Sequence, residues 1–437
     1  MLSGRRYRLA LTDEQAEQCQ KFGDVCRAVW NAALDQRRQY VDRFTRGRRG
    51  PFCGYHLQTS ELAEAKAEAP WLKEAPSHVL QQTLKDLDRA CRDRGAFKVR
   101  WRAKHRWSPS FRFPAGNRIR VQKLNRRWSR AKLPKLGWVR FRSSRPVGGA
   151  IRSATLSRKG TRWFVSFLVE DGLLTPEHHP GTPVGVDRGV AVAATTSTGQ
   201  FHDREFARPG EKARHLKLQK KLSRQKKGSK NRARTLKAMG AVSTRAVDRR
   251  GDFCAQLARQ LTTRHNVVVL EELRTTNMTA SARGSVDAPG KYVRQKAGLN
   301  RAILDKGWHR LEMALRNAAR KSGTRIVLVN PAYTSQTCYP CRVVDADSRK
   351  SQAEFVCTAC GHTDHADVNA AKNVCRAAGH AVPACGDFGV ARSVKQEPPG
   401  TREEVPAQPA LELAGNPRAH EVQGGSQPQH LGSWRHA

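Results

Sequence analysis

Acids are scarce in this chain. Its 437 residues include 38 Asp and Glu against 80 Lys and Arg, a formal charge of +42. Charge so one-sided repels itself unless a polyanion is bound, so nucleic acid is the first partner to consider. Long apolar runs are missing as well: no stretch approaches the roughly 18 residues that suggest a membrane helix. The first residues, MLSGRRYRLALTDEQ, lack the apolar core of a secretion signal. Cysteine is present, eleven in all, but Cys19, Cys26, Cys53, Cys91, Cys254, Cys375 and Cys385 show no ligand spacing and read as ordinary thiols. The expectation is a cytoplasmic protein in a reducing compartment, with no membrane and no small-molecule substrate.

The other four cysteines are organised. Residues 333–374 read YTSQTCYPCRVVDADSRKSQAEFVCTACGHTDHADVNAAKNV, with Cys338/Cys341 and Cys357/Cys360 as two Cys-x-x-Cys pairs across a fifteen-residue loop. Each pair offers two thiolates from one tight turn, the donor set of a tetrahedral structural Zn²⁺ with no open position. Two disulfides or four unrelated core cysteines are the alternative. Asp367 follows seven residues after the last thiol.

Along the chain, residues 5–11 alternate like a strand, and Thr12 with Gln15 fits a capping box that opens a helix. Cys19, Phe22, Cys26, Val29, Trp30, Ala33 and Leu34 recur at helical spacing, and a second helical region runs from Ser77 to Cys91. Residues 92–145 then hold nineteen Lys/Arg and one acid, Asp93, interleaved with Phe97, Trp101, Trp107, Phe111, Phe113, Trp128, Trp138 and Phe141. Alternation at 110–113, 119–121, 138–141 and 163–169 suggests a small antiparallel barrel, most of the aromatics being its core. The excess charge suits a phosphate backbone. Residues 211–250 carry fifteen Lys/Arg against Glu211 and Asp248, a long basic helix or a helical hairpin broken near Gly228. Residues 275–298 read as a mobile loop. Residues 299–321 read as one helix with Leu299, Ile303, Trp308, Leu311 and Leu315 inside, and 325–329 as a strand. Beyond Val394 the chain turns Pro/Gln/Glu-rich and is expected to be disordered.

Three acids stand at similar junctions. Asp187 ends the apolar strand PVGV, Glu271 ends NVVVL, and Asp367 opens the helix DVNAAKNV. Strand, hairpin, helices, strand, helix, strand, helix is the order of a ribonuclease H-like α/β domain, in which such acids converge. Carboxylates at one point repel each other unless cations join them, and two Mg²⁺ ions about 3.5–4 Å apart would make the set a phosphodiesterase. Singly, Asp187 could be a turn residue and Asp367 an N-cap. Glu272 rivals Glu271, although strand alternation aims it the other way.

GVDRGV (185–190), VVVLEEL (267–273), YTSQTCYPC (333–341), CTACG (357–361) and DVNAAKNV (367–374) resemble the TnpB/OrfB proteins of small bacterial insertion sequences. RAVWNAAL (27–34), SFRF (110–113) and the basic run 218–232 match in place and character, and the resemblance covers roughly residues 4–378. It implies a compact RNA-guided, RuvC-type DNA endonuclease related to type V CRISPR effectors, which supports the retention of its insertion sequence. It implies a wedge-like β-barrel with a helical insertion, followed by a ribonuclease H-like (RuvC) domain interrupted by a zinc ribbon. The expected partition is a first barrel strand (1–15), helical recognition insertion (16–95) and remaining barrel (96–180). The first RuvC part (181–332), ribbon (333–362), last RuvC helix (363–394) and tail (395–437) follow. The resemblance assigns Asp187, Glu271 and Asp367 to catalysis with Mg²⁺, and Cys338, Cys341, Cys357 and Cys360 to Zn²⁺. The implied partners are a guide RNA from the transposon end and double-stranded target DNA. Two positions depart from the family pattern: Arg342 stands where a Gly is usual, and Asp364-His-Ala precedes Asp367 where many members have Arg-Asp. A guided DNA-binding regulator with weak catalysis, a strand-transfer transposase and a zinc-ribbon accessory protein are the rival readings.

Overall fold

The computed structural model describes residues 1–47, 52–104, 106–177, 179–285 and 288–380. The tail expected to be disordered and Cys385 lie outside the described residues. Strand β1 (Leu2–Ala10) leads into helix α1 (Asp13–Thr45) through the expected capping box, in which the Thr12 side chain accepts from the Gln15 amide. All seven of the residues picked out at helical spacing in α1 are buried. Helix α2 (Tyr55–Glu68) was not foreseen, since only Gln58, Leu62 and Ala65 are buried in a run of alanines and glutamates with little apolar contrast. Helix α3 (Ser77–Arg94) buries Val79, Leu80, Thr83, Leu84 and Leu87 against them.

Six further strands follow: β2 (Ser110–Phe113), β3 (Arg120–Lys123), β4 (Trp128–Leu133), β5 (Gly137–Arg142), β6 (Ala150–Lys159) and β7 (Arg162–Glu170). With β1 they form a seven-stranded antiparallel sheet in the order β2-β6-β7-β1-β5-β4-β3. Its central strand changes partner along its length, pairing Leu2–Arg8 with β7 and Leu9–Ala10 with β5. The edges β2 and β3 are not paired to each other among the described residues, so the expected barrel is an open sheet. Its inner face packs Tyr7, Phe141 and Phe167 at tilted and edge-on angles and joins α1 through Phe22 and Phe111, ring centroids 5.8 Å apart. Phe111, Phe113 and Phe141 are core as expected, whereas Phe97 and Trp101 are exposed.

The second sheet has the order β10-β9-β8-β11-β12, built from β8 (Val184–Asp187), β9 (Ala194–Thr196), β10 (Phe201–His202), β11 (Val267–Glu271) and β12 (Arg325–Val329). The run β8-β11-β12 is parallel, and β9 and β10 add on antiparallel. Between β10 and β11 the basic stretch is a helical hairpin, α4 (Pro209–Ser223) and α5 (Lys230–Arg264). Residues 275–298, expected to be loop, carry the short α6 (Thr275–Met278) and the start of α7 (Val293–Lys306). The single helix expected over 299–321 is broken, because Gly307 at φ +75° ends α7 and opens α8 (Trp308–Ser322). α7 buries only Ile303, and Leu299, expected inside, is exposed. The hairpin β13 (Glu354–Val356) and β14 (Thr363–His365) runs straight into α9 (Ala366–Ala377). The described residues are thus mixed α/β, with the seven-stranded sheet and the β13–β14 hairpin wholly antiparallel and the five-stranded sheet mixed. No helix among the described residues is long and apolar enough to cross a membrane.

Helices cover both faces of the second sheet. Val184, Val186, Val268 and Leu270 pack with Leu257 and Leu261 of α5 and Leu311 and Leu315 of α8. Val267, Val269 and Val329 turn the other way and pack with Val374 of α9. Strand alternation therefore puts Gly185 and Asp187 of β8, and Val269 and Glu271 of β11, on the α9 side. Gly185 lets α9 come close: an added Cβ would lie 2.0 Å from the Ala371 carbonyl oxygen.

Candidate active site and metal centre

In the register of β8 and β11, Val184 is paired with Val268, Gly185 with Val269 and Val186 with Leu270. The next positions on the two parallel strands are Asp187 and Glu271, so both carboxylates leave neighbouring strand ends on one face. The third, Asp367, sits in the first turn of α9, which crosses that face. An added Cβ on Gly189, two residues after Asp187, would lie 3.8 Å from Asp367 Oδ2. Glu271 and Asp367 are buried and Asp187 half-buried. The N-cap of α9 is His365, whose ring accepts from the Asp367 amide, so Asp367 is not itself the cap. Glu272 is exposed, and its amide is taken up by the Val329 carbonyl.

Burial and like charge act together here. Burial, then the charges of Glu271 and Asp367, push the Asp187 carboxyl up to about 7. Burial also raises Glu271, opposed by a hydrogen bond from Thr334 Oγ1 to Glu271 Oε1 at 2.8 Å. Two arginines answer the three acids. Arg349, from the loop before β13, donates to Asp367 Oδ1 at 3.1 Å, and its charge favours ionisation of Asp187 and Glu271. Arg188, its side chain 1% exposed, donates to the Glu271 carbonyl and stands 3.7 Å from Glu312 of α8. Neither arginine, nor Thr334, was singled out from the sequence. Their partners lie 18, 83 and 63 residues away, and no local spacing marks them.

The four ribbon cysteines also meet, their sulfurs all within 4.8 Å of one another. Cys338 and Cys360 are 3.7 Å apart and Cys341 and Cys357 3.5 Å, close to the ~3.8 Å edge of a Zn–S tetrahedron with bonds of about 2.3 Å. The two knuckles are built alike. In each, the first cysteine's amide donates to the residue five ahead, and its carbonyl accepts from the residue four ahead, Arg342 or Gly361. Both of those residues sit at φ +68°. The first knuckle therefore keeps a left-handed backbone although its side chain is Arg rather than Gly, and the turn is not altered. This is the one set of described residues that brings three or more potential ligand atoms so close. The three acids are spread more widely.

Asparagines tie the ribbon to the acids. Asn369 of α9 receives the Tyr339 amide at 2.9 Å and donates to the Thr337 carbonyl at 2.8 Å. Asn373 donates to the carbonyls of Thr337 and Thr334 at 2.6 and 3.0 Å. Thr334 is the residue bonded to Glu271. The first cysteine knuckle, α9 and the Glu271 carboxylate are thereby linked by buried and part-buried polar contacts. The changed triplet before Asp367 has its own partner, since Lys372 Nζ pairs with Asp364 at 2.7 Å.

The basic hairpin is a third feature. Its Glu211 is claimed internally by Arg249 at 2.6 and 2.9 Å and Arg245 at 2.9 Å, which hold it down to about 2. Among the described residues, Lys217, Lys220, Lys221, Lys226 and Lys227 form no ion pair, and α4 buries nothing. That surface can meet phosphates.

Three family models match the chain: "Helix-turn-helix domain" over residues 1–46, "Probable transposase" over 164–282 and "Cas12f1-like, TNB domain" over 308–374. Residues 1–46 fold here as β1 and the single helix α1. A protein of Escherichia coli (strain K12), "Putative RNA-guided DNA endonuclease InsQ", is 36% identical over 91% of this chain and 97% of its own. A Streptomyces pristinaespiralis protein, "Putative RNA-guided DNA endonuclease", is 30% identical over 94% of this chain and 98% of its own. Among solved structures, a Cas12f1 chain in complex with sgRNA and target DNA aligns with 84% of this chain and 83% of its own at 15% identity and TM-score 0.47.

Proposed function

From the premise that the chain belongs to the TnpB/OrfB family, we infer that it is a transposon-associated RNA-guided DNA endonuclease. The observation that carries this is the near full-length identity to a relative named for that activity. Its partners are then a guide RNA and double-stranded target DNA, and a charge of +42 suits two polyanions. In this division of labour the protein reads a short motif beside the target and base pairing reads the rest. The unpaired lysines of the α4–α5 hairpin and the arginine-rich seven-stranded sheet are the surfaces we assign to the RNA.

We propose the partition drawn above for the chain: sheet and helical insertion to residue 180, then a ribonuclease H-like (RuvC) unit into which the ribbon 333–362 is inserted. The strand order β10-β9-β8-β11-β12, antiparallel on one side of β8 and parallel on the other, supports that reading. Asp187, Glu271 and Asp367 are the catalytic acids in it. Their donor atoms are all carboxylate oxygens, suited to a hard cation such as Mg²⁺, and a cation among them would relieve the like charge that, with burial, raises the Asp187 carboxyl. Two such ions would need a wider carboxylate set than one, and when bound they would supply Lewis-acid stabilisation of the cleaved phosphodiester. The chain's own part is to hold the acids in place. Thr334 fixes the Glu271 carboxylate, the Gly185 contact sets the height of α9, and Arg188 holds the end of β11. Arg349 offsets the charge of Asp367 and can donate to a phosphate oxygen. The cysteine set would hold Zn²⁺ as a structural ion that folds the ribbon on which α9 rests.

The test is guided cleavage of a matched plasmid by the protein with its RNA. Asp187→Ala should abolish cleavage and leave target binding intact. Equal cleavage by wild type and variant would remove the active-site assignment.

A further inference from the structure

Where helices α1 and α3 meet residues 99–103 and 106–107 there is a groove of about 460 Å³ that no role above uses. Its walls include Arg89, Arg94, Arg100, Arg102 and Arg106, against Asp86 and Asp93. Asp86 is already engaged, by Gln82 at 2.8 Å and Arg112 at 3.9 Å. Arg89, Arg94 and Arg100 are exposed and make no ion pair among the described residues.

Arg102 differs from the rest. Its backbone is clamped both ways by Asn31, amide to Oδ1 at 2.9 Å and carbonyl from Nδ2 at 3.3 Å. Its guanidinium lies 3.7 Å over the ring of Trp30 and 5.4 Å from that of Trp107. Trp30 is itself fixed, its Nε1 donating to the Arg100 carbonyl. Stacking of this kind holds the guanidinium by its flat face and leaves the N–H groups around its edge for other partners. Among the described residues none of those N–H groups has a hydrogen-bond partner. Burial lowers Arg102 to about 10, so it stays charged at neutral pH. Its side-chain nitrogens reach solvent, so an arriving acceptor meets N–H groups that no described protein group occupies.

We propose that this groove is a phosphate-binding subsite, in which Arg102, oriented by Trp30 and Asn31, donates to one backbone phosphodiester of the bound polynucleotide. Two parallel N–H groups match two phosphate oxygens, and the surrounding arginines hold the neighbouring charges. The proposal rests on the endonuclease reading above, which supplies two polynucleotides, RNA and DNA, with the same phosphodiester.

The experiment measures affinity across a salt series in two arms: the protein with its copurifying RNA, and the RNA-loaded protein with a matched linear duplex. Each phosphate contact contributes about 0.9 to the slope of log affinity against log salt for duplex DNA and about 0.7 for a single strand. Arg102→Gln should lower the slope by one such step in one arm, and that arm identifies the polynucleotide. Arg102→Lys keeps the charge but not the fork, so it should keep the slope while weakening binding. Should Arg102→Gln not fold, Arg94→Gln, exposed at the end of α3, should give the slope change instead. An unchanged slope in both arms overturns the subsite. So does a loss confined to targets with guanine at one position, which would mean that the fork reads a base edge. If the wild type itself binds neither nucleic acid in a salt-dependent way, the endonuclease reading fails and the subsite with it.

Discussion

Gly185→Ala tests the geometry that brings the third acid to the other two. Gly185 has ordinary extended backbone in β8, so alanine suits its conformation and only space is at stake. An added Cβ would stand 2.0 Å from the Ala371 carbonyl oxygen and 2.7 Å from the Cys375 amide, both main-chain atoms of α9. Real Cβ contacts essentially never fall under 3.0 Å, so the helix must retreat by 3.0 − 2.0, at least 1.0 Å. Asp367 lies one turn from Ala371 on the same helix and must travel with it, while Asp187 and Glu271 stay on the sheet. A displacement of about 1 Å at a reacting centre is worth roughly a hundredfold in rate. Overpacking of this kind costs about 1–3 kcal/mol of stability, which leaves most domains folded. The assay is single-turnover guided cleavage, with target binding and zinc content measured on the same preparation. Cleavage should fall by about a hundredfold, with binding and zinc unchanged. Gly210→Ala, in α4 with open space around the new methyl, is the control. Wild-type cleavage by a folded Gly185→Ala protein would refute the claim that α9 sets the position of Asp367.

Asp187, raised by burial and its acidic neighbours from 3.8 to about 7, makes the metal-free protein pH-sensitive. Its contribution to stability is full below about pH 4 and is lost as pH rises through 7, so thermal melts without added Mg²⁺, with bound zinc checked at each pH, should show a loss of a few kcal/mol across that window. Asp187→Asn should flatten the loss, and Mg²⁺ should reverse it near pH 8. Glu271→Gln should abolish cleavage while Glu272→Gln, changed at an exposed position, should not, as a plasmid assay will read. Cys357→Ser should lower bound zinc and melting temperature together with cleavage, and lost cleavage with full zinc and stability would give that cysteine a more direct role.

Much of the candidate site could be read from the chain because its parts are local. A Cys-x-x-Cys pair is one turn, and PVGV-Asp187 and NVVVL-Glu271 are strands with an acid at the end. The contacts that hold the site are not local. Arg349 and Asn373 act on residues brought near by the folded ribbon, and Arg188 reaches Glu271 across the sheet. The break at Gly307 carried a signal, a glycine inside an apolar period, but the pattern of Ile303, Trp308 and Leu311 runs through it and hides the change of direction. Closure of the first sheet could not be read at all. Alternation tells which face of a strand is buried, not which edges pair, and β2 and β3 remain the two ends of an open sheet.

The central place of β1 bears on how the protein is made. Leu2 pairs with Glu170 and Arg8 with Phe164, so during synthesis this strand must wait until the chain has reached about residue 170 before its main partner exists. Helices α1–α3 need no such delay, since they pack on one another. The carboxylates wait longer still, because Asp187 and Glu271 meet Asp367 only once α9 has emerged. A nascent or interrupted chain can therefore present basic surface well before the proposed catalytic acids are assembled.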